Sequence, residues 1–266
     1  MRNEGVWEYR GRWALVTGAS AGIGEAFAHA LASRGMNVVL TARRAERLEE
    51  LAHALAGEHG VQTAHVAADL GAPGAAERVW DEAARGRDIH LLVNNAGFGA
   101  KGGFDEVDRA RQAEMVQLNC TALLELMHLA LPAMRARGAG GIVNVASVAA
   151  FQPIPQLAAY GASKAFVLSL SQAVAEECRG SGVRVVALCP GPVATEFQAV
   201  AGTQVSARTP GLLEAREVVE AALEALEKGR DTVVPGVLNH LGTVAARVLP
   251  RSWVVKVAKE VMKRAR

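Results

Sequence analysis

The feature that most constrains the fold is a regular alternation between two kinds of segment. Short runs of β-branched and aliphatic residues are separated by longer stretches whose apolar residues recur at helical spacing. The short runs cover residues 14–17, 37–41, 63–67, 90–93, 141–145 and 184–188. Near-continuous apolar strands that alternate with helices indicate a parallel sheet with helices on both faces. We therefore predict an α/β fold with a doubly wound parallel sheet.

A seventh strand is predicted at residues 231–234, after a helix over about residues 214–228. The chain has 266 residues, of which 50% are hydrophobic, and this is enough to form one large core. It contains no internal repeat and no low-complexity linker. We therefore predict a single domain over residues 1–244, followed by a helical extension over residues 245–266.

Composition excludes several classes of protein. A net charge of +2 with four Trp, two Tyr and six Phe provides neither the basic field nor the stacking platforms of a nucleic-acid-binding protein. The three cysteines, Cys120, Cys178 and Cys189, form neither a disulfide framework nor a Cys-x-x-Cys metal pair, which favours a reducing, cytoplasmic setting. The start of the chain lacks the apolar core of an export signal, and prolines interrupt the uncharged stretch 138–163, so no membrane span is predicted. The seven histidines form no His-x-x-x-His pair, and no metal site is predicted.

A glycine-rich turn joins the first strand to the first helix. Thr17–Gly24 reads Thr-Gly-Ala-Ser-Ala-Gly-Ile-Gly, and the missing Cβ atoms allow a backbone to approach a pyrophosphate at a helix N-terminus. The glycine spacing differs from the Gly-x-Gly-x-x-Gly fingerprint, so a turn without a ligand is the alternative. The position after the first strand favours a dinucleotide site.

The end of the second strand bears on which dinucleotide would bind. No carboxylate follows it to bond a ribose 2′-hydroxyl, whereas Arg43 and Arg44 offer two guanidinium groups for the 2′-phosphate of NADP(H). Solvated arginines at a helix start are the alternative. Asp69, after the third strand, is predicted either to accept a hydrogen bond from an adenine amine or to cap the segment that follows.

Tyr160 and Lys164 stand four residues apart, a spacing that places both on one face of a helix. An ammonium group beside a phenol is expected to lower the tyrosine pKa toward neutrality, as acid–base catalysis at pH 7 requires. Ser147 follows the fifth strand, where its hydroxyl could polarise a substrate oxygen. Asn119 lies in a helical segment and could bind water or a backbone group. Each of these residues alone also has a purely structural interpretation.

Together with Asn94–Gly97 and with Pro190-Gly191 followed by Thr195, these motifs resemble the short-chain dehydrogenase/reductase family over about residues 10–200. The resemblance implies a Rossmann-type fold of seven strands and an NADP(H)-dependent interconversion of a carbonyl and an alcohol. Tyr160 would be the general acid or base, Lys164 would hold the nicotinamide ribose, Ser147 would orient the substrate oxygen and Asn119 would anchor a relay water. The predicted cofactor-binding residues are Thr17, Gly18, Ser20, Ala21, Gly22, Ile23, Gly24, Arg43, Arg44, Asp69, Leu70, Asn95, Ala96, Gly97, Tyr160, Lys164, Pro190, Gly191, Val193 and Thr195.

The resemblance also implies a homodimer or homotetramer, assembled through helices over about residues 109–137 and 160–179. The alternative function is a non-catalytic NADP(H)-binding sensor or scaffold with the same fold. The presence of Asn119, Ser147, Tyr160 and Lys164 together argues against that alternative.

The family keeps a substrate lid where residues 196–211 fall in this chain. Phe197, Val200 and Val205 make this lid partly apolar, which favours an apolar or lipid-like carbonyl such as a 3-oxoacyl or steroid-type substrate. Phe98, Phe104 and residues 151–156 could line the same cleft, and ordinary loop packing is the alternative for all of them.

The extension over residues 245–266 departs from the family's usual ending. It contains seven basic residues and one acidic residue, Glu260. On a helical wheel, one apolar arc is formed by Trp253, Val254, Val257, Ala258, Val261 and Met262, and Lys256, Lys259 and Lys263 lie opposite it. A basic amphipathic helix of this kind can lie on an anionic membrane. Packing of the arc against the protein's own domain or a partner subunit is the simpler interpretation.

Overall fold

The computed structural model describes residues 7–203, 206 and 209–264, and their side chains up to residue 260. Seven parallel strands form one sheet in the order β3-β2-β1-β4-β5-β6-β7. They are β1 (Trp13–Thr17), β2 (Asn37–Ala42), β3 (Thr63–Ala67), β4 (Ile89–Asn94), β5 (Gly140–Val145), β6 (Val183–Leu188) and β7 (Thr232–Val233). The predicted α/β sheet is confirmed, with a last strand shorter than the predicted 231–234.

Helices connect these strands and cover both faces of the sheet. They are α1 (Gly22–Ser33), α2 (Ala45–His59), α3 (Ala75–Ala84), α4 (Arg109–Val116), α5 (Leu123–Arg137), α6 (Ala158–Glu177), α7 (Phe197–Ala201), α8 (Ala215–Glu227), α9 (Val237–Val248) and α10 (Arg251–Arg264). A short 3₁₀ helix, Val148–Phe151, follows β5.

Neighbouring residues of the five central strands, β1, β2, β4, β5 and β6, enter two separate apolar cores. In β1, Val16 packs with side chains of α1, α2 and α8, such as Phe27 of α1. Its neighbour Leu15 packs on the opposite face with α3, α5 and α6, where Leu126 of α5 is buried. This two-sided burial explains why the strands are almost continuously apolar, and it confirms the doubly wound architecture.

The region predicted as one helix over residues 109–137 is interrupted. Between α4 and α5, residues Gln117–Ala122 form a π-helical segment, whose wider turn contains the buried Asn119. Such widened turns occur frequently at functional sites. The single-helix prediction missed it because apolar spacing does not reveal one extra residue in a turn.

The C-terminal extension is two helices rather than one. The predicted start at residue 245 lies inside α9 (Val237–Val248), and α10 (Arg251–Arg264) begins after Leu249 and Pro250. Leu249 is extended, with ψ of 150°, as expected for a residue before proline. No helix among the described residues combines the length and the apolar character that a membrane crossing requires.

Candidate active site

A cavity of about 360 Å³ opens at the carboxyl edge of the sheet, beside the point between β1 and β4 where the strand order reverses. Ligands bind at this kind of position in open α/β sheets. Of the predicted site residues, those that line it are Gly18, Ser20, Ala21, Gly22, Ile23, Arg43, Arg44, Asp69, Leu70, Asn95, Ala96, Gly97, Ser147, Tyr160, Lys164, Pro190, Gly191, Val193 and Thr195. Thr17, Gly24 and Asn119 are not part of the lining.

The glycine turn forms one end of the cavity and leaves no room for side chains at two positions. A Cβ on Gly18 would lie 2.7 Å from Asn95 Nδ2, and one on Gly24 would lie 2.3 Å from the carbonyl oxygen of Gly18. Gly18 also has φ of +65°, which favours glycine. Ala21 precedes α1 without a side-chain cap, so no side chain competes for the first backbone N–H groups of this helix.

Thr17 and Asn95 brace this turn from behind. The buried Thr17 hydroxyl donates to the carbonyl of Val93 at 3.2 Å and accepts from the backbone N–H groups of Asn95 and Ala96, each at 2.9 Å. Asn95 Nδ2 donates to the carbonyl of Thr17 at 2.9 Å and to that of Gly18 at 3.2 Å. In this structure Thr17 is therefore a positioning residue that ties β1 to β4.

Asn94, the other asparagine of the same segment, points into the interior. Its Nδ2 donates to Asn144 Oδ1 at 2.9 Å, and Asn144 Nδ2 in turn donates to Ser171 Oγ at 2.9 Å. This buried polar chain joins β4, β5 and α6 beneath the cavity.

Three charged side chains, Arg44, Arg47 and Glu196, lie together beside the glycine turn, and we call them the arginine clamp. Arg44 donates to the carbonyl and hydroxyl oxygens of Ser20 at 3.0–3.2 Å, and to Glu196 Oε2 at 2.9 Å. Arg47, one turn further along α2, donates to Glu196 Oε1 at 2.8 Å. Hydrogen bonds from Arg47 and Arg44 hold the pKa of Glu196 below its ordinary value. The sequence prediction missed Arg47 and Glu196 because nothing local links residues so far apart in the chain.

Asp69 is exposed and lines the cavity, and its Oδ1 accepts a hydrogen bond from the backbone N–H of Gly71 at 2.9 Å. The predicted capping role is therefore realised. Its second carboxylate oxygen has no hydrogen bond recorded among the described residues, so the adenine-binding role stays a prediction.

Tyr160, Ser147 and Lys164 meet at the other end of the cavity. Ser147 lies beside Tyr160, where its side chain favours the phenolate. Ser147 Oγ accepts from the backbone N–H of Ala149 at 3.1 Å and donates to the carbonyl of Pro190 at 3.5 Å. Lys164 Nζ lies 5.9 Å from the centre of the Tyr160 ring and donates to the carbonyl of Val145 at 2.7 Å. Strand β5 positions the serine and α6 positions the pair, as their spacing predicts.

The prediction that Lys164 lowers the pKa of Tyr160 toward neutrality is wrong when only the protein's own groups act on the tyrosine. Burial raises the pKa of Tyr160 to about 12, and the Ser147 side chain only partly opposes this. Burial also lowers the pKa of Lys164 to about 8. For Tyr160, the effect of burial on the pKa is larger than the effect of the nearby lysine. The Lys164 amine bonds to a backbone carbonyl and is itself poorly solvated, which disfavours its charged form.

Asn119 supports the cavity wall from the π-helical segment. Its Nδ2 donates to the carbonyl of Phe98 and to Ser163 Oγ, each at 3.0 Å, and its Oδ1 accepts from the backbone N–H of Phe98 at 3.1 Å. Asn119 thus holds the chain just after Gly97, and the relay water stays a prediction.

The segment predicted as a lid begins with α7, which packs on the catalytic end. The ring of Phe197 lies 5.6 Å from that of Tyr160, and Phe98, Phe197 and Val200 all line the cavity. Phe104 and residues 151–156 do not line it, which corrects that part of the prediction. Val205 lies outside the described residues.

Helix α9 borders this region, which the sequence analysis did not anticipate. Asn239 Nδ2 donates to the carbonyl of Gly211, at the end of the lid, at 2.9 Å. A Cβ on Gly191 would lie 2.4 Å from Asn239 Oδ1. Further along the helix, the guanidinium of Arg247 lies 4.9 Å from the ring of Phe151.

One group of metal-type ligands lies elsewhere. His29 of α1 and Glu58 and His59 of α2 place potential ligand atoms within 4.8 Å of one another. None of the three lines the cavity, and this group has no part in the chemistry proposed below.

Comparison with known proteins agrees with this geometry. The family profile described as short chain dehydrogenase matches residues 12–206. The chain is 34% identical over 224 residues to a 7beta-hydroxysteroid dehydrogenase of Collinsella aerofaciens, covering 83% of this chain and 85% of that protein. It is 33% identical over 265 residues to a very-long-chain 3-oxoacyl-CoA reductase of Anas platyrhynchos, covering 96% and 81%. It is 36% identical over 191 residues to the inactive hydroxysteroid dehydrogenase-like protein 1 of Homo sapiens, covering 71% and 58%.

Solved structures are similar over nearly the whole chain. A short-chain dehydrogenase from Sphingobium yanoikuyae in complex with NADPH superposes with a TM-score of 0.78 and 34% identity, covering 91% of this chain and 97% of that one. A short-chain dehydrogenase/reductase from Burkholderia phymatum in complex with NAD has a TM-score of 0.81 and 27% identity, covering 95% and 97%. By its motifs, its fold and these matches, the chain belongs to the short-chain dehydrogenase/reductase family of oxidoreductases.

Proposed function

We propose that this protein is an NADP(H)-dependent oxidoreductase that interconverts an apolar, lipid-like ketone or aldehyde and its alcohol. The observation that carries the proposal is the meeting of Tyr160, Ser147 and Lys164 in a cavity whose other end is the glycine turn. A dinucleotide bound along this cavity would bring its nicotinamide to the three side chains.

The residues present fit such a cofactor. Methyl groups at Gly18 and Gly24 would clash with other parts of the turn or with Asn95, so glycine keeps the turn compact, and Gly18 and Gly22 present backbone without a side chain to the cavity. The uncapped N-terminus of α1 offers N–H groups and a positive dipole end to a pyrophosphate. Relatives of known structure bind NADPH in one case and NAD in another.

The clamp supports a preference for NADP(H). The two residues directly after β2 are Arg43 and Arg44 and not a carboxylate, and Arg44 and Arg47 both bind Glu196. Two guanidinium groups suit a phosphate, and both now bind the carboxylate of Glu196, which a 2′-phosphate would replace. Arg43 is exposed and lines the same end.

A bound nicotinamide supplies or accepts the hydride at the substrate carbon. The hydroxyls of Ser147 and Tyr160 would bind the carbonyl oxygen and oppose its developing negative charge. In reduction, Tyr160 transfers its phenolic proton to that oxygen. A pKa of about 12 keeps the phenol protonated at neutral pH, and an alkoxide is a stronger base than a phenolate, so the transfer is downhill.

Lys164 then stabilises the phenolate that remains. Its amine lies on the face of the Tyr160 ring, and in the protonated form it attracts the new negative charge. Asn119 acts as a positioning residue, because it fixes the backbone of Phe98 at the cavity wall.

Apolar side chains at the substrate end indicate the class of substrate. Phe98, Leu118, Phe197 and Val200 line that end, and two relatives are named for action on a hydroxysteroid and on a very-long-chain 3-oxoacyl-CoA. We infer a substrate with a long or polycyclic apolar body. The alternative, a non-catalytic NADP(H) sensor, is favoured by the relative named as inactive.

The predicted oligomer also stays a proposal. Val116, Leu124 and Phe166 are exposed to between 39% and 46%. They lie on or between the helices that the family resemblance assigns to subunit contacts, which supports a dimer or tetramer through that face.

The decisive experiment measures NADPH consumption with a panel of steroid ketones and long-chain 3-oxoacyl thioesters. Tyr160→Phe should lower kcat by roughly 10²- to 10⁴-fold and leave NADPH binding, followed by fluorescence, unchanged. Tyr9→Phe is the matched control, because Tyr9 bonds to Glu227 away from the cavity. Full activity of Tyr160→Phe would refute the mechanism, and tight NADPH binding with no turnover on the panel would support the sensor.

A further inference from the structure

Helix α9 presents a row of apolar side chains to solvent. Val237, Leu241, Val244 and Val248 recur at helical spacing on one side, with exposures of 80%, 58%, 45% and 79%. The opposite side contains the buried Thr243. A helix in a globular domain usually turns its apolar stripe toward the core, so this orientation is the reverse of ordinary packing.

The exposed row continues into the next helix. Leu238, Leu249, Trp253 and Val257 are also exposed, to between 47% and 64%. We call these eight residues, seven on α9 and α10 and Leu249 between the two helices, the outer apolar face. Of the thirteen large apolar side chains exposed among the described residues, eight belong to it. Concentrated exposure of this kind marks an interaction surface.

This surface is held in place by the protein itself. Val254 and Ala258 of α10 are buried, so one edge of the predicted apolar arc is covered, while Trp253 and Val257 on the other edge stay exposed. The buried edge agrees with packing of the arc within the protein, and the exposed edge leaves side chains available to a membrane. Asn239 fixes α9 beside the lid and the cavity.

The charge around the outer apolar face distinguishes between two possible binding partners, a second copy of this chain and an anionic lipid surface. Arg247, Arg251, Lys256 and Lys259 are exposed along the same two helices, and the last 22 residues contain seven basic residues and one acidic residue. A second copy docked symmetrically on this face would bring two basic surfaces together, which is unfavourable. An anionic lipid surface attracts the basic residues and accommodates the apolar side chains.

We propose that the outer apolar face binds the surface of an anionic lipid bilayer and holds the protein there as a peripheral membrane protein. This goes beyond the proposed oxidoreductase activity and does not depend on it. Because α9 contacts both Gly191 of the cavity and Gly211 at the end of the lid, docking would keep the cavity-bordering segments next to the bilayer, where apolar substrates partition.

The test is co-sedimentation of the full chain with vesicles of phosphatidylglycerol and phosphatidylcholine, compared with vesicles of phosphatidylcholine alone. We expect binding to the anionic vesicles that weakens as salt is raised. Leu241→Glu/Val248→Glu should lower the fraction bound at least about tenfold, since it places two charges in the apolar contact. Phe104→Glu is the matched control, because Phe104 is 70% exposed but outside this face.

Lys256→Glu/Lys259→Glu provides a second variant, whose exposed positions allow normal folding, checked by thermal unfolding. It should also lose anionic binding. Equal sedimentation with both kinds of vesicle, or no sedimentation at all, would overturn the proposal. Light scattering that shows a dimer of the wild type broken by Leu241→Glu/Val248→Glu, with no vesicle binding, would assign the face to a second copy instead.

Discussion

The glycine turn and the arginine clamp stand at the same end of the cavity but are built from different interactions. The turn is held by buried backbone and amide contacts, with the side chain of Thr17 at its base 1% exposed. The clamp consists of Arg44, Arg47 and Glu196, whose side chains are 43%, 49% and 53% exposed. Close packing tolerates no added atom, whereas exposed ion pairs contribute little and are screened by salt.

This difference indicates that the glycine turn and the arginine clamp have different roles. We propose that the turn fixes where a dinucleotide lies and that the clamp adjusts which dinucleotide is preferred. Changes in the buried part should therefore abolish binding or stability, and changes in the clamp should shift affinity by modest, salt-dependent factors.

The largest effect is expected for Gly24→Ala. The new Cβ would lie 2.3 Å from the carbonyl oxygen of Gly18 and 2.5 Å from Asn95 Nδ2, so the turn must shift and NADPH binding should be lost in a fluorescence titration. Gly57→Ala is the control, since nothing lies within 4 Å of its added methyl in α2. That variant should bind NADPH normally and gain about 0.5–1 kcal/mol in stability. Normal binding by Gly24→Ala would show that the turn is less rigid than its contacts indicate.

The buried lysine at the catalytic end should produce a pH-dependent stability. Lys164 has a pKa of about 8 in the fold against an ordinary value of 10.5, so the folded chain binds fewer protons than the unfolded chain between these values. Stability due to this group therefore rises with pH across that window and is lost as pH falls through about 8.

Comparison with Lys164→Met isolates the effect. The difference in the free energy of unfolding between the wild type and this variant should change by about 3 kcal/mol in favour of the wild type as pH rises through the window. Urea denaturation measures it, and Lys259→Met, at an exposed position, should show no such trend. If the difference in the free energy of unfolding between the wild type and Lys164→Met does not change with pH, the Lys164 amine is solvated in the folded protein.

Removing both clamp arginines should have an intermediate effect. Arg44→Ala/Arg47→Ala should raise the KM for NADPH by roughly 10- to 100-fold, because bonds to charged groups contribute about 1.5–3 kcal/mol. The KM for NADH should change little. The matched control is Arg179→Ala, on an exposed arginine that pairs with Glu176. An equal rise in the KM for NADPH and for NADH would show that the clamp does not recognise the 2′-phosphate.

The smallest effect is expected for Glu196→Gln. Without the carboxylate the two guanidinium groups are available to a phosphate, so the KM for NADPH should fall by up to about fivefold at low salt, in line with an exposed pair, and approach the wild-type value at high salt. Glu176→Gln removes a comparable exposed carboxylate elsewhere and should leave the KM unchanged. A raised KM would instead mean that Glu196 orders the arginines for the cofactor.

Much of this molecule was predictable because the signals are local. Strand and helix periodicity indicates the seven strands and the two-sided sheet. The four-residue spacing of Tyr160 and Lys164 places them on one face of α6, and the glycines of Thr17–Gly24 mark the turn. Each of these depends on neighbouring residues whose geometry the backbone alone dictates.

Other features depend on contacts between segments distant in the chain, and only the tertiary structure decides them. Arg44 and Glu196 are 152 positions apart, and no spacing rule joins them. The pKa of Tyr160 moved opposite to the prediction because burial, which no short motif encodes, outweighs a nearby amine. An amphipathic pattern predicted one two-sided helix over residues 245–266 but did not reveal α9. Which apolar side chains of the two helices are buried and which face solvent is decided by the surface that the rest of the fold leaves uncovered.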